Sequence, residues 1–258
     1  MILYLASIFQ IYNKRLTEEC QKQPFKPDFF YKVNNGKKIA ILESFYKVSP
    51  ILSQYLPYID LILDSGAFTV INDTKGKTYN TDWDEYIEKY AKFIVENNIN
   101  LFFELDIDFL IGYDKVLEYR KKLEKLTDRP CIPVFHKKLG LAEYKKMCQD
   151  YEYIGLSINN YQYKTTDLVK MISLAHSYKT KIHGLGYTKV QTLPLLPFDS
   201  VDSTSLIIGS AYGKMYRFNN STLKQYNKQK GLLIKNRDAL LDFNFKEWVK
   251  YQNYLKQI

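Results

Sequence analysis

Carboxylates recur at the ends of apolar runs in this chain. Residues 59–64 close on Asp64 and continue as Ser65, Gly66, Ala67, Phe68 and Thr69. Residues 101–109 read LFFELDIDF, where a strand period of two would put Glu104, Asp106 and Asp108 on one face and Phe103, Leu105 and Ile107 on the other. A third stretch, PFDSVDSTS, carries Asp199 and Asp202, followed by Ser203 and Thr204. Buried carboxylates need partners or a task. Two carboxylates of unequal pKa can divide the work of nucleophile and proton carrier. Each motif also has an ordinary reading. D-S-G is common turn chemistry, and the acids of LFFELDIDF would equally form an ion-pair cluster with lysines. Three further segments lie between these acids: Pro133 to His136, YIGLSI with Gly155 and Leu156, and IHGLGYT with His183, Gly184, Leu185 and Gly186. Glycines without a Cβ would let a flat ligand approach the backbone, although a tight turn explains G-L-G as well.

The elements that must position these residues are legible as alternation. Eight short apolar runs cover residues 2–7, 38–42, 59–64, 100–106, 131–135, 153–158, 181–185 and 200–202. Continuous rather than alternating apolar runs suit strands buried on both faces. Amphipathic segments separate most of them, at 81–97, 113–126, 141–150 and 166–178. In the first of these Trp83, Tyr86, Ile87, Tyr90 and Ile94 form one stripe, with Asp82 and Asp84 in the first turn, where the helix dipole favours anions. Strands alternating with helices predict an α/β fold, a (β/α)8 TIM barrel over residues 1–205, with the active site at the carboxyl ends of the strands. Residues 9–37 and 65–80 read as loops over that site. Residues 206–258 read as a short basic C-terminal extension with a helix near 245–254.

Bulk properties bound the answer. The 258 residues carry a formal net charge of +9, and 46% are hydrophobic and 16% aromatic, enough to fill a core and to exclude a disordered chain. The positive balance favours a polyanionic partner, because clustered Lys and Arg release counterions from phosphates. Lys-rich coding alone would also make a basic surface. The three cysteines, Cys20, Cys131 and Cys148, are widely spaced and form no disulfide framework, which suits a reducing cytoplasm. The apolar N-terminal stretch is too short to span a membrane and reads as a first buried strand.

Taken in order, the motifs resemble the tRNA-guanine transglycosylase family, the queuine tRNA-ribosyltransferases. They are more similar still to shorter relatives that act on DNA in phage and bacterial genomes. The family pattern D-S-G-G-[FY]-Q is matched by Asp64-Ser65-Gly66-Ala67-Phe68-Thr69, followed by Asp106. Val134-Phe135-His136 stands loosely for a V-Q strand end. Gly155-Leu156, Gly184-Leu185-Gly186 and Asp199-Ser200-Val201-Asp202 complete the series, over roughly residues 60–205. The resemblance implies that Asp202 attacks the sugar C1′ and that Asp64 assists proton transfer. It implies that Asp106 reads a guanine-like base edge while Phe68 stacks on the base. Ser65, Gly66, Gly155, Leu156, His183, Gly184, Leu185 and Asp199 would line the substrate site, with His136 at or beside the family's glutamine.

The resemblance implies exchange of guanine in DNA for a 7-deazaguanine such as a preQ-type base, with no cofactor. A carboxylate can stabilise oxocarbenium character and then bond to it, as in retaining glycosidases. The cysteine-rich zinc site of the tRNA enzymes has no counterpart here, since no cysteine follows Cys148, so no structural zinc is expected. Lys214 and Arg217, beyond the nucleophile strand, are candidate phosphate contacts, with Tyr212 or Tyr216 on a sugar or neighbouring base. The alternatives are a zinc-less tRNA-guanine transglycosylase, a nucleoside glycosylase or hydrolase, and a non-catalytic nucleic-acid-binding barrel.

Overall fold

Seven of the apolar runs pair in parallel, because each has a partner of similar length and both of its faces can be covered. The computed structural model describes residues 1–9, 28–48, 52–67, 69–70, 81–158, 163–187, 189–227 and 236–258. The strands are β1 (Ile2–Ala6), β2 (Ile39–Ser44), β3 (Ile59–Asp64), β4 (Val134–Phe135), β5 (Tyr153–Ser157), β6 (Lys181–Leu185) and β7 (Ser200–Ser203). They form one sheet in the order β3-β2-β1-β7-β6-β5-β4. The sheet curls. Its concave face holds Tyr4, Ala6, Ala40, Leu42, Ile62, Phe103, Ile132 and Val134 as one apolar cluster. The alternate residues, among them Leu3, Leu5, Ile39, Ile41, Ile154, Leu156 and Val201, pack outward against helices. This two-sided burial is why the strands read as unbroken apolar runs.

The helices are α1 (Asp28–Val33), α2 (Leu52–Tyr55), α3 (Trp83–Glu96), α4 (Asp108–Ile111), α5 (Tyr113–Thr127), α6 (Gly140–Asp150), α7 (Thr165–Ser177), α8 (Ser205–Ala211) and α9 (Arg237–Leu255). Helix α3 starts where its sequence says it should: the Asp82 side chain accepts from the Glu85 N–H at 3.0 Å and caps the first turn. Its stripe buries Trp83, Ile87, Tyr90 and Ile94. Among the described residues no helix is long and apolar enough to cross a membrane. Of the stretches expected as loops, residues 28–33 are helical, while 10–27 and 71–80 lie outside the described residues.

The eight-stranded expectation is corrected at one run. Residues 100–106 form no regular ladder strand. They make isolated parallel bridges, Leu63 to Phe102 and Phe103 to Ile132. Four backbone hydrogen bonds of 2.8 to 3.1 Å carry these bridges, from Leu63, Phe103, Ile132 and Glu104 N–H groups. The stretch thus sits between the two edge strands β3 and β4. Tyr90 of α3 reinforces one side, its hydroxyl within 3.1 Å of the Leu63 and Phe103 carbonyls. Glu104 reinforces the other, accepting from the Val134 N–H at 2.6 Å. Regular pairing ends there because the chain turns tightly, Ile107 N–H donating to Leu105 O at 3.0 Å, before α4 begins at Asp108. That turn breaks the period of two.

The C-terminal residues are also more than an extension. An antiparallel hairpin of β8 (Met215–Asn219) and β9 (Thr222–Tyr226) leads to α9, which buries Phe245, Trp248, Tyr251 and Leu255 in the same core as β1 and β2. The Gln252 amide inserts between β1 and β2 below the start of their ladder at Leu5 and Ile41. It donates to the Leu3 and Ala40 carbonyls at 2.6 and 2.9 Å and accepts from the Ala40 N–H at 3.2 Å. Gln252→Leu leaves three buried backbone groups without partners and should destabilise the fold by about 3 kcal/mol or more. Urea denaturation measures this, and an unchanged midpoint would show that water replaces the amide.

Candidate active site

Alternation along the strands decides which residues look into the concavity at their carboxyl ends. Position 202 on β7, 183 on β6, 64 on β3 and 136 just after β4 continue the rows that below them carry Ser200, Ile62 and Val134. Residue 106 arrives from the irregular stretch between β3 and β4. Asp64 senses the charges of both Asp106 and Asp202.

Asp64 is tuned away from an ordinary carboxylate. Burial, then the charge of Asp106, and then that of Asp202 push its pKa up to about 7, against the pull of the Gly66 and Ser65 N–H groups. The Gly66 N–H reaches Asp64 Oδ2 at 3.1 Å. Gly66 has φ +72°, and a Cβ there would overlap Ser44 Oγ and lie 2.8 Å from the Tyr46 nitrogen. Only glycine lets this turn close over β2. Ser65, expected to face substrate, is instead fully buried. Its hydroxyl accepts from the Ala67 N–H at 3.4 Å and its carbonyl from the Tyr86 hydroxyl at 2.5 Å. Phe68 lies outside the described residues.

Asp202 is held from behind. Its Oδ1 accepts from the Gly186 N–H at 2.6 Å and from His183 Nε2 at 3.1 Å. His183 is completely buried, edge-on to Phe103 with ring centroids 5.2 Å apart. Its Nδ1 lies 2.5 Å from Ser200 Oγ, which in turn contacts the Tyr153 hydroxyl. With Nε2 donating to the carboxylate, Nδ1 must accept from Ser200. A hydrogen-bonded chain therefore runs Tyr153, Ser200, His183, Asp202, and among the described residues Asp202 Oδ2 takes no hydrogen bond. His183 is thus a positioning residue rather than a substrate contact. Sequence reasoning passed over Ser200 and Tyr153, although Ser200 lies two residues before Asp202 and so shares its face.

The acids of LFFELDIDF separate. Glu104 turns outward into a buried bidentate pair with Arg120 of α5, at 2.7 and 3.1 Å. Asp106 turns inward and its Oδ1 meets His136 Nε2 at 2.5 Å. Asp108 sits behind His136, 3.1 Å from Lys138 Nζ. The side chain of Asp106 is 25% exposed and that of Asp108 4%, so Asp106 is the acid a ligand can reach. Donor atoms of Asp106, Asp108 and His136 lie within 4.8 Å of one another, the spacing of a cation site. The Lys138 ammonium, 3.1 Å from Asp108 Oδ2, supplies positive charge beside that group.

Other expected contacts are placed elsewhere. Asp199 precedes β7 at the amino end of the sheet, where its Oδ2 accepts from the Ile182 N–H at 2.8 Å and meets His176 at 2.9 Å. Three residues along a strand reverse the face, so Asp199 and Asp202 cannot share a site. A Cβ on Gly155 would meet Leu185 at 2.8 Å and Phe103 at 3.1 Å, and one on Gly184 would meet the Phe198 ring at 3.1 Å. Neither glycine has room for a side chain. The Leu156 side chain is buried on the helix side of the sheet, and Leu185 packs beside the inner cluster. Lys214 is half-buried before β8, and Arg217 is exposed opposite Lys224 in the hairpin. Tyr216, expected on a sugar or base, is buried against Trp248, while Tyr212 is 72% exposed.

No family model matches this chain, and no curated protein does. A solved structure, the carboxyl transferase domain from Rhizobium etli pyruvate carboxylase with 3-bromopyruvate, aligns over 99% of this chain at 12% identity and a TM-score of 0.50. The chain spans about half of that one, 48%. At this identity the likeness concerns the α/β fold alone.

The raised pKa of Asp64 has a consequence for stability. The folded state keeps a proton that an unfolded aspartate releases near pH 4, so its contribution is full below that pH and is lost as pH rises through about 7. Asp64→Asn, uncharged at every pH, should remove that dependence and gain stability over wild type at pH 8 relative to pH 5. Denaturation midpoints of both proteins at the two pH values check this.

Proposed function

We propose that this protein is a transglycosylase, an enzyme that exchanges guanine in a nucleic acid for a 7-deazaguanine through a covalent sugar–aspartate intermediate. One observation carries the reading: Asp64 and Asp202 end inward rows at the carboxyl ends of β3 and β7, and Asp64 senses the charges of Asp106 and Asp202. The fold then reads as a (β/α)8 barrel whose fourth strand is the irregular stretch at 100–106, a reading supported by the bridges to β3 and β4.

Asp202 Oδ2 is the nucleophile. The bond from C1′ to the base nitrogen breaks as the bond from C1′ to Oδ2 forms, and Gly186 and His183 hold Oδ1 while this happens. Asp64, protonated up to about pH 7, gives its proton to the departing purine. The resulting carboxylate takes a proton from the incoming 7-deazaguanine, whose nitrogen attacks C1′ and releases Asp202. Asp106 accepts from the N–H groups on the base edge. The nucleotide must leave the helix stack, or be single-stranded, for C1′ to be reached.

DNA is the proposed polymer, in preference to tRNA. The outward row of the hairpin pairs Met215 with Tyr226 and Arg217 with Lys224, joining cations to exposed apolar surface. Replacing Lys214 or Arg217 should weaken binding to all DNA sequences alike and lower the slope of log affinity against log salt by about one unit for each phosphate left without its cation. An unchanged slope would remove the hairpin from the interface.

Asp202→Asn should abolish labelled-guanine exchange, because an amide is a poor nucleophile, and should fail to trap a covalent adduct that wild type forms. Exchange into single- and double-stranded DNA and into tRNA is measured side by side. Exchange into tRNA alone would make the polymer tRNA, base release without incorporation would make the enzyme a glycosylase, and full activity of the variant would sink the mechanism.

A further inference from the structure

Resting on the transglycosylase reading, the contacts around His136 point to what selects the base. His136 Nε2 lies 2.5 Å from Asp106 Oδ1 and 3.9 Å from Asp108 Oδ1, and Lys138 Nζ lies 3.1 Å from Asp108 Oδ2. Acid, imidazole, acid and ammonium thus alternate along one row. Asp106 comes from the turn after the bridging stretch, Asp108 from the start of α4, and His136 and Lys138 from the segment after β4. Among the described residues, Asp64 feels the charge of Asp106, and Glu104 nearby is occupied by Arg120. Burial works against the His136 imidazolium, but the Asp106 hydrogen bond and the charges of Asp106 and Asp108 outweigh it, and its pKa lies above the ordinary value.

The row matters for selectivity because Asp106 is its exposed end. An anionic carboxylate can only accept hydrogen bonds, whereas a protonated one also donates. A guanine-like edge offers two adjacent N–H donors, from N1 and the amino group. An adenine edge offers an amino donor beside an acceptor nitrogen. A carboxylate held anionic matches the first and repels the second, while a carboxylic acid matches adenine.

We propose that His136 is a positioning residue that, through Nε2, fixes the Asp106 carboxylate in one orientation, so that the site takes a base edge with two adjacent N–H donors and rejects adenine. Asp108 and Lys138 complete the row behind it. An imidazolium hydrogen-bonded to a carboxylate favours the ionised form of the acid. His136 touches no reacting atom and acts on the base through Asp106.

The test uses the full chain and free bases, with no chemistry required. Equilibrium dialysis gives the affinities of guanine, 7-deazaguanine and adenine for wild type, His136→Gln and His136→Leu. Glutamine restores an N–H donor, and leucine fills space without one. His136→Leu should lose roughly 10- to 100-fold in guanine affinity, the range for a hydrogen bond to a charged group, and its preference over adenine should narrow. His136→Gln should stay within about threefold of wild type for guanine. A side chain that only filled space would give the opposite order of the two variants. Asp108→Asn reads the same row without altering His136. With one carboxylate fewer, the imidazole pKa falls, seen in the NMR titration of its ring protons, and an unshifted titration would remove Asp108 from the row. Leucine and glutamine variants that both bind and discriminate as wild type does would overturn the role of His136 alone. A wild-type protein that binds neither guanine nor 7-deazaguanine would overturn the transglycosylase reading with it.

Discussion

The candidate site depends on residues 100–106 staying between β3 and β4, and that placement depends on the buried pair of Glu104 and Arg120. The stretch is too irregular to hold itself with a full ladder, having single bridges on each side. Glu104 joins it to β4 through the Val134 N–H and to α5 through Arg120. Taking one partner away would leave a buried, uncompensated charge, which costs several kcal/mol. The pair therefore works less as net stability than as a constraint on where the chain goes. Asp106 turns to the concave side while Glu104, two residues earlier, is anchored on the other side of the stretch.

Once the acids are together, their mutual repulsion has to be offset. The site does so differently for each. Asp64 keeps a proton, favoured by burial and by its like-charged neighbours. Asp202 receives two hydrogen bonds on one oxygen. Asp106 faces an imidazole. The result is three carboxylates in unequal environments, an arrangement that suits acid–base and covalent chemistry. Glu43, one residue from the pocket face of β2, shows the contrast. Burial raises its pKa to about 8 while Oε1 accepts from the Phe9 N–H at 2.8 Å, and it points toward the helix-side core.

The amino end of the sheet carries the other half of the design. Asp199 ties β7 to β6 and to the last turn of α7. Gln252 ties β1 to β2, and the chain's first residue meets the end of α9, the Met1 amino group donating to Leu255 O at 3.2 Å. These groups hold strands in place and leave the carboxyl ends free for chemistry, the division of labour usual in α/β barrels.

The sequence by itself determined the strands and helices, because apolar runs of strand length and amphipathic stripes are local patterns. Asp82 at the N-cap and the stripe of α3 show how far that reaches. It also placed Asp64, Asp106 and Asp202 at the ends of their runs. What only the tertiary structure decided was direction and partnership. A single tight turn at residues 105–107 sent Glu104 and Asp106 to opposite sides, where a period of two had put them together. Asp199 and Asp202, close in sequence, ended on opposite faces and at opposite ends. The atoms that crowd Gly155 and Gly184 and the hydroxyl that caps the Ser65 carbonyl come from distant strands and helices, which no local pattern shows. The pairing of His136 with Asp106 spans 30 residues, and that of Gln252 with Ala40 spans 212. Periodicity is a property of neighbours along the chain, whereas charge compensation and hydrogen-bond satisfaction are settled by whichever groups the curled sheet brings together.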